Sequence, residues 1–296
     1  MTLRLAVELD GGSFAAPDWI ARIRALDEAE LDFVTFADTF GGAGPEAVLL
    51  AARLAPLTRH VGLVPVATTT HTEPFHLSTA LATLDFVSRG RAGWQVRVSA
   101  DPGEAALVGR REPLGFGGLF AEAREAVEVV RRLWDSWQDD AIIKDVATGR
   151  YIDRDRLHYV EFDGTYFSVK GPSIVPRPPQ GQPVVAALAH GPQVWNSLDV
   201  DVYFTTPDAA ADIVRDLPAE KKIFIDVAVS DNTVDVIEKL EKTGISGVRL
   251  TGADVDGDLV AELRRRGLFT PSDATTLRER LGLPQAVNRY EEAAHA

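Results

Sequence analysis

Residues 61–99 read VGLVPVATTTHTEPFHLSTALATLDFVSRGRAGWQVRVS. Val61–Thr69 is a short apolar, β-branched run that leads into three threonines, Thr68–Thr70, which predicts a strand. Pro74–Val87 opens with a proline, whose fixed φ suits a first helical turn, and carries apolar residues at helical spacing. Ala92–Val98 is a second apolar run. A strand, a helix and a strand in that order imply a parallel pair joined by a crossover helix. The same unit recurs in both directions. Upstream lie strands Leu3–Leu9 and Phe33–Ala37, with helices starting near Pro17 and over Glu46–Leu57. Downstream come a long helix, Leu119–Trp137, and strands Val184–Leu188, Val202–Thr205, Phe224–Ala228 and Gly247–Leu250. Helices Asp208–Asp216, Thr233–Lys242 and Leu259–Arg266 follow the last three. Eight strand–helix units without a linker predict an α/β fold, a (β/α)8 TIM barrel, as one domain over residues 1–296. Between the fourth helix and the fifth strand, residues 139–183 break the pattern with turn signals and prolines. They predict a β-hairpin-type insertion outside the barrel. Residues 267–296 read as a C-terminal tail.

Composition narrows the function. The 296 residues are 45% apolar, enough for a large core, and the formal charge is −13. A strongly acidic chain lacks the clustered Lys and Arg that nucleic acid or an anionic membrane surface requires. There are no cysteines, which excludes disulfides, thiolate metal sites and cysteine nucleophiles. No stretch of about 18 apolar residues offers a membrane span. The N-terminal MTLRLAVELDGG has no basic segment followed by an apolar one, so a cytoplasmic location is expected.

Reactive groups in such a barrel belong at the C-terminal ends of the strands. This rule selects Asp10, Asp38, the run Thr68, Thr69, Thr70 and His71, then Gln95 and Ser99. His190 and Gly191 follow the fifth strand; Thr205, Thr206, Ser230 and Thr251 follow the later ones. Each also has a plainer reading. Asp38 could cap a turn, the threonines could simply end a strand, and Trp94, Trp134 and Trp137 suit packing better than stacking on a cofactor. His71 and His76 have no third partner at ligand spacing, so no metal is expected. No nucleophile elbow, phosphate-binding Walker loop or dinucleotide fingerprint occurs. These residues give a polar barrel mouth without naming its reaction.

Four collinear stretches carry a resemblance: Leu57–Ser99, Glu125–Tyr151, His158–Val185 and Leu259–Pro284. Together they resemble the nitrilotriacetate, dibenzothiophene-sulfone and pristinamycin-type branch of the luciferase-like flavin monooxygenase superfamily. The resemblance implies a barrel that takes reduced FMN from a separate flavin reductase, reacts it with oxygen and oxygenates a small organic substrate. It also implies a homo- or heterodimer, and the helices Glu46–Leu57 and Pro74–Val87, apolar and alanine-rich over more than one face, are the expected pairing surface. Ring contacts map onto Asp38, Thr69 and Gln95, with Thr68 and Ser99 beside them. The phosphate turn maps onto Ala189, His190 and Gly191.

Departures gather at the flavin. The family's Asn is Gln95, its phosphate-approaching His and Tyr correspond to Phe116 and Phe120, and the serine of the phosphate turn is missing. Losing charge-assisted hydrogen bonds of about 1.5–3 kcal/mol each weakens FMN unless His190, Arg97 or Arg110 compensates. The resemblance thus leaves three readings. The first is a monooxygenase holding FMN weakly, or using a deazaflavin. The second is a non-catalytic or supporting barrel subunit, and the third a hydrolase or lyase built on Asp38 with His71 or His190. No catalytic acid or base is assigned.

Overall fold

The computed structural model describes residues 3–252, 255 and 257–292. In chain order β1 (Arg4–Leu9), α1 (Ala16–Glu28), β2 (Phe33–Phe36), α2 (Ala47–Leu54), β3 (Gly62–Thr68), α3 (Pro74–Ser88) and β4 (Gly93–Arg97) form the first half. Then come a short α4 (Pro102–Val108) and the long α5 (Phe116–Asp135). The insertion holds β5 (Ile142–Asp145), β6 (Arg150–Ile152), β7 (Phe162–Asp163) and β8 (Ser168–Val169). The alternation resumes with β9 (Val184–Leu188), α6 (Pro192–Trp195), β10 (Val202–Thr205), α7 (Ala210–Asp216), β11 (Lys222–Ala228), α8 (Thr233–Leu240), β12 (Gly247–Thr251) and α9 (Gly257–Arg265). Two short helices, α10 (Leu277–Arg280) and α11 (Arg289–Glu292), end the described chain.

The strands β1-β12-β11-β10-β9-β4-β3-β2 close into a barrel, every neighbouring pair parallel. This is the (β/α)8 architecture expected from the alternation. Period-2 alternation divides the core in two. Outward residues such as Val7, Val34, Leu63, Trp94, Val185, Tyr203 and Ile225 pack under the helices. Inward residues Phe33, Val64, Val184, Phe204 and Phe224 fill the barrel's lower half. Gly62 and Gly247 make that filling possible: a Cβ on Gly62 would lie 2.8 Å from Phe33, and one on Gly247 would collide with the Phe224 ring.

The residues read as a tail close the bottom of the barrel. Leu277, Leu281 and Leu283 join the inward-facing cluster. A capping box between Thr276 and Glu279 starts α10. Arg280, 1% exposed, donates to the carbonyls of Asp32 and His60 at 2.7 Å each.

Two elements differ from the sequence expectation. The insertion is two separate antiparallel pairs, β5–β6 and β7–β8, rather than one hairpin. It is sewn to the end of α5: Trp137 Nε1 donates to the Ser173 carbonyl at 2.7 Å, and Ser136 Oγ accepts from the Ser173 N–H. The second is α4, which escaped because seven residues show no apolar stripe. Its start is nonetheless encoded locally, by Asp101 accepting from the Gly103 N–H at 2.7 Å with Pro102 in the first turn.

Candidate functional site

A cavity of about 340 Å³ opens at the C-terminal mouth, where β1, β2, β3, β4 and β9 end. Its walls are apolar: Val66, Val96, Val98, Phe120, Ala187, Leu188, Val194 and Leu198. Its polar lining is Glu8, Asp38, Thr39, Gln95 and Arg97. Apolar walls with a few polar groups, in this size range, suit a small organic ligand. A neighbouring cleft of about 220 Å³ shares Ala37, Asp38 and Thr39 and is walled by the glycine loops at Gly11–Gly12 and Gly42–Gly44.

Beneath the cavity lies an ionic network that sequence reasoning missed. Arg249 on β12 is 1% exposed and forms a bidentate pair with Asp226 on β11, both bonds at 2.7 Å. Its Nη1 reaches Gln95 Oε1 at 3.0 Å, Glu8 Oε2 at 3.1 Å and Thr35 Oγ1 at 3.2 Å. The guanidinium also stacks on Phe204 at 4.0 Å. A buried cation is tolerable only when paired and hydrogen-bonded, and here all three guanidinium nitrogens have partners. The signal was present in the sequence: Glu8, Asp226 and Arg249 each interrupt an apolar strand.

A second network forms one wall. Arg97 donates to both Glu104 oxygens at 3.0 Å and to Thr68 Oγ1 at 3.0 Å. Ser99 Oγ donates to Glu104 as well. Burial alone would raise the Glu104 carboxyl, but hydrogen bonds from Arg97 and Ser99 and the Arg97 charge outweigh it and hold the group below its ordinary range.

The structure thus sorts the sequence candidates. Asp38 and Gln95 line the cavity, and Asp38 also accepts from the Ala47 N–H at 2.9 Å, capping the start of α2. Thr68 is turned to Arg97. Thr69 is buried with its hydroxyl on the Arg97 carbonyl at 3.2 Å, and Ser99 is buried against Glu104. Ala189 has both backbone groups engaged, its N–H on the Phe204 carbonyl and its carbonyl on Thr205 Oγ1. His190 is exposed, and Gly191 precedes a four-residue helix whose first turn holds Pro192, which has no N–H. Phe120 lines the cavity, and the Phe116 ring lies tilted against it at 4.7 Å, so aromatic surface stands where the resemblance expects phosphate donors. Trp94, Trp134 and Trp137 are packing residues, each buried with its indole N–H on a carbonyl.

A parallel barrel with a small-molecule cavity at its C-terminal mouth defines a class of enzyme-bearing fold, and the comparisons narrow it. The luciferase-like monooxygenase family matches residues 2–219, and the chain belongs to that family. Nitrilotriacetate monooxygenase component A of Aminobacter aminovorans is 36% identical over 64% of this chain and 47% of its own length. One of the pristinamycin IIA synthase polypeptides of Streptomyces pristinaespiralis is 34% identical over 90% of this chain and 89% of its own. The chain therefore spans less than half of the first relative and nearly all of the second. Among solved structures, a long-chain alkane monooxygenase superposes with a TM-score of 0.86 at 18% identity, covering 95% of this chain and 96% of the other. That likeness shows the shared fold.

Proposed function

We propose that this chain binds a flavin ring in the 340 Å³ mouth cavity and serves a monooxygenase reaction on a small organic substrate, with reduced FMN delivered by a separate reductase. The carrying observation is that Asp38 and Gln95, two of the ring positions the resemblance names, meet in one cavity of suitable size. Bound reduced flavin would supply the electrons for activating oxygen. The chain's own residues exclude water with Val66, Val96, Phe120 and Leu188, and present Gln95 and Glu8 to the ring or substrate. The ring fits this lining. A phosphate dianion does not, because Phe116 and Phe120 donate nothing and Arg97 is held by Glu104. A deazaflavin meets the same cavity through the same ring groups.

A second reading, a supporting partner in a pair of unlike barrels, draws on a specific observation. The relative matched over nearly its whole length is one polypeptide of a synthase that has a second, and that second polypeptide is also similar, 37% identical over 57% of this chain. In either reading we assign the pairing face to α2 and α3, where Leu49, Phe86 and Val87 are exposed at 72%, 42% and 42%. Among the described residues no helix is long and apolar enough to cross a membrane.

Titration of FMN and riboflavin by flavin fluorescence quenching, with size-exclusion chromatography on the same samples, tests this. Riboflavin should bind within a few-fold of FMN. FMN tighter by about 100-fold, close to 3 kcal/mol, would reveal a phosphate site and sink the assignment. Absence of binding by either flavin at millimolar concentration would leave the supporting-partner reading standing in its place.

A further inference from the structure

Arg249 does more than neutralise itself. By drawing the Gln95 carbonyl oxygen to Nη1 at 3.0 Å, it leaves the amide NH₂ as the end of Gln95 available to the cavity. The same Nη1 holds one oxygen of Glu8 at 3.1 Å, which leaves the other oxygen as an acceptor in the lining. Because both groups share one nitrogen, they stand close enough to meet adjacent atoms of a single ligand. Asp226 takes the other side of the guanidinium through two 2.7 Å bonds, so Arg249 divides its charge between two carboxylates and Glu8 remains an acceptor toward the cavity. The cation in the cavity lining, Arg97, is already matched by Glu104.

We propose that Glu8 and Gln95 form a recognition pair for an N–H flanked by a carbonyl, the edge of a cyclic imide, lactam or ureide. Glu8 accepts from the N–H and Gln95 donates to the carbonyl oxygen. The same pair disfavours a carboxylate ligand, which would face Glu8 while Arg97 and Arg249 are already engaged by Glu104 and Asp226. Two sources carry this edge. One is the pyrimidine ring of a flavin, and that arm rests on the function proposed above; the other is a small-molecule substrate, which does not depend on it.

The test compares lumiflavin with 3-methyllumiflavin, and phthalimide with N-methylphthalimide, by isothermal titration calorimetry on the wild type and Glu8→Gln. N-methylation should weaken binding by about tenfold or more in at least one pair, as expected for loss of a hydrogen bond to a charged group. An effect in the flavin pair assigns the edge to the cofactor, and one confined to the imide pair assigns it to the substrate. Glu8→Gln should erase the difference, because Arg249 will draw the new amide oxygen and turn its NH₂ toward the ligand N–H. Should that variant not fold, the wild-type comparison alone decides. Methylated probes binding as well as their parents in both pairs would overturn the proposal, as would a difference that survives Glu8→Gln or no binding by any probe at millimolar concentration. The two readings fail separately. Lumiflavin that binds regardless of N3-methylation, with no imide discrimination, sinks this pair and spares the flavin. Imide discrimination without any flavin binding does the reverse.

Discussion

At the scale of single residues, the mouth is organised by two arginines to which the sequence gives unequal prominence. Arg97 reads from the sequence as a stand-in for phosphate binding, yet Glu104 and Thr68 hold it in the wall. Arg249, which no motif marks, fixes the orientation of Glu8, Gln95 and Asp226. Breaking a buried pair by removing one partner is costly because it strands the other charge. Arg249→Met leaves Asp226 and Glu8 facing each other inside the barrel without a cation. It should lower unfolding free energy by about 3 kcal/mol in urea at neutral pH. A loss below about 1 kcal/mol would mean that solvent already screens the two acids.

At the scale of elements, the informative piece is α10. A four-residue helix has little stability of its own, so its place depends on what it buries. Leu277, fully buried, fills the bottom of the barrel beside Phe33 and the space left by Gly62. Leu277→Ala should therefore cost about 2–5 kcal/mol, the range for a core leucine that leaves a cavity. Leu49 on α2 provides the control at 72% exposure, and Leu49→Ala in the isolated chain should stay within about 0.5 kcal/mol. Equal effects of the two substitutions in thermal and urea unfolding would show that α10 is an appendage rather than the floor.

The whole molecule carries a pH signature with two opposing signs. Burial pushes the carboxyls of Asp32 and Asp85 up to about 6, from an ordinary 3.8. The folded state then holds protons that the unfolded chain has released, so stability is lost as pH rises through about 6. Glu104 and Glu128 behave oppositely. Their burial raises them, but hydrogen bonds from arginines outweigh it and hold both below their ordinary 4.5, so the stability they bring is lost as pH falls below that value. The formal charge of −13 adds repulsion at neutral pH that also fades on acidification. The urea midpoint should be highest near about pH 4 to 4.5, fall as the pH rises toward 6 and stay low at about pH 7.5. A midpoint that climbs steadily to pH 8 would show that Asp32 and Asp85 remain ionised in the fold.

The strands and helices of the barrel were legible in the sequence because their causes are local. β-Branched runs such as Val202–Thr205 and prolines at first turns such as Pro74 act within a few residues, and eight such units in alternation leave little choice of architecture. Asp38 and Gln95 were legible as residues of the mouth, since the C-terminal ends of the strands open there, although the same rule also picked Thr69 and Ser99, which the structure turns into the wall. What a group does there was not legible, because that depends on barrel closure and register. Gln95 and Arg249 are 154 residues apart in the chain and 3.0 Å apart in space. Register sets Asp226 beside Arg249 on neighbouring strands, and closure brings Glu8 within reach of the same guanidinium. The tail became a floor for the same reason: nothing local marks the leucines at 277, 281 and 283 as core until the open end of a barrel lies next to them.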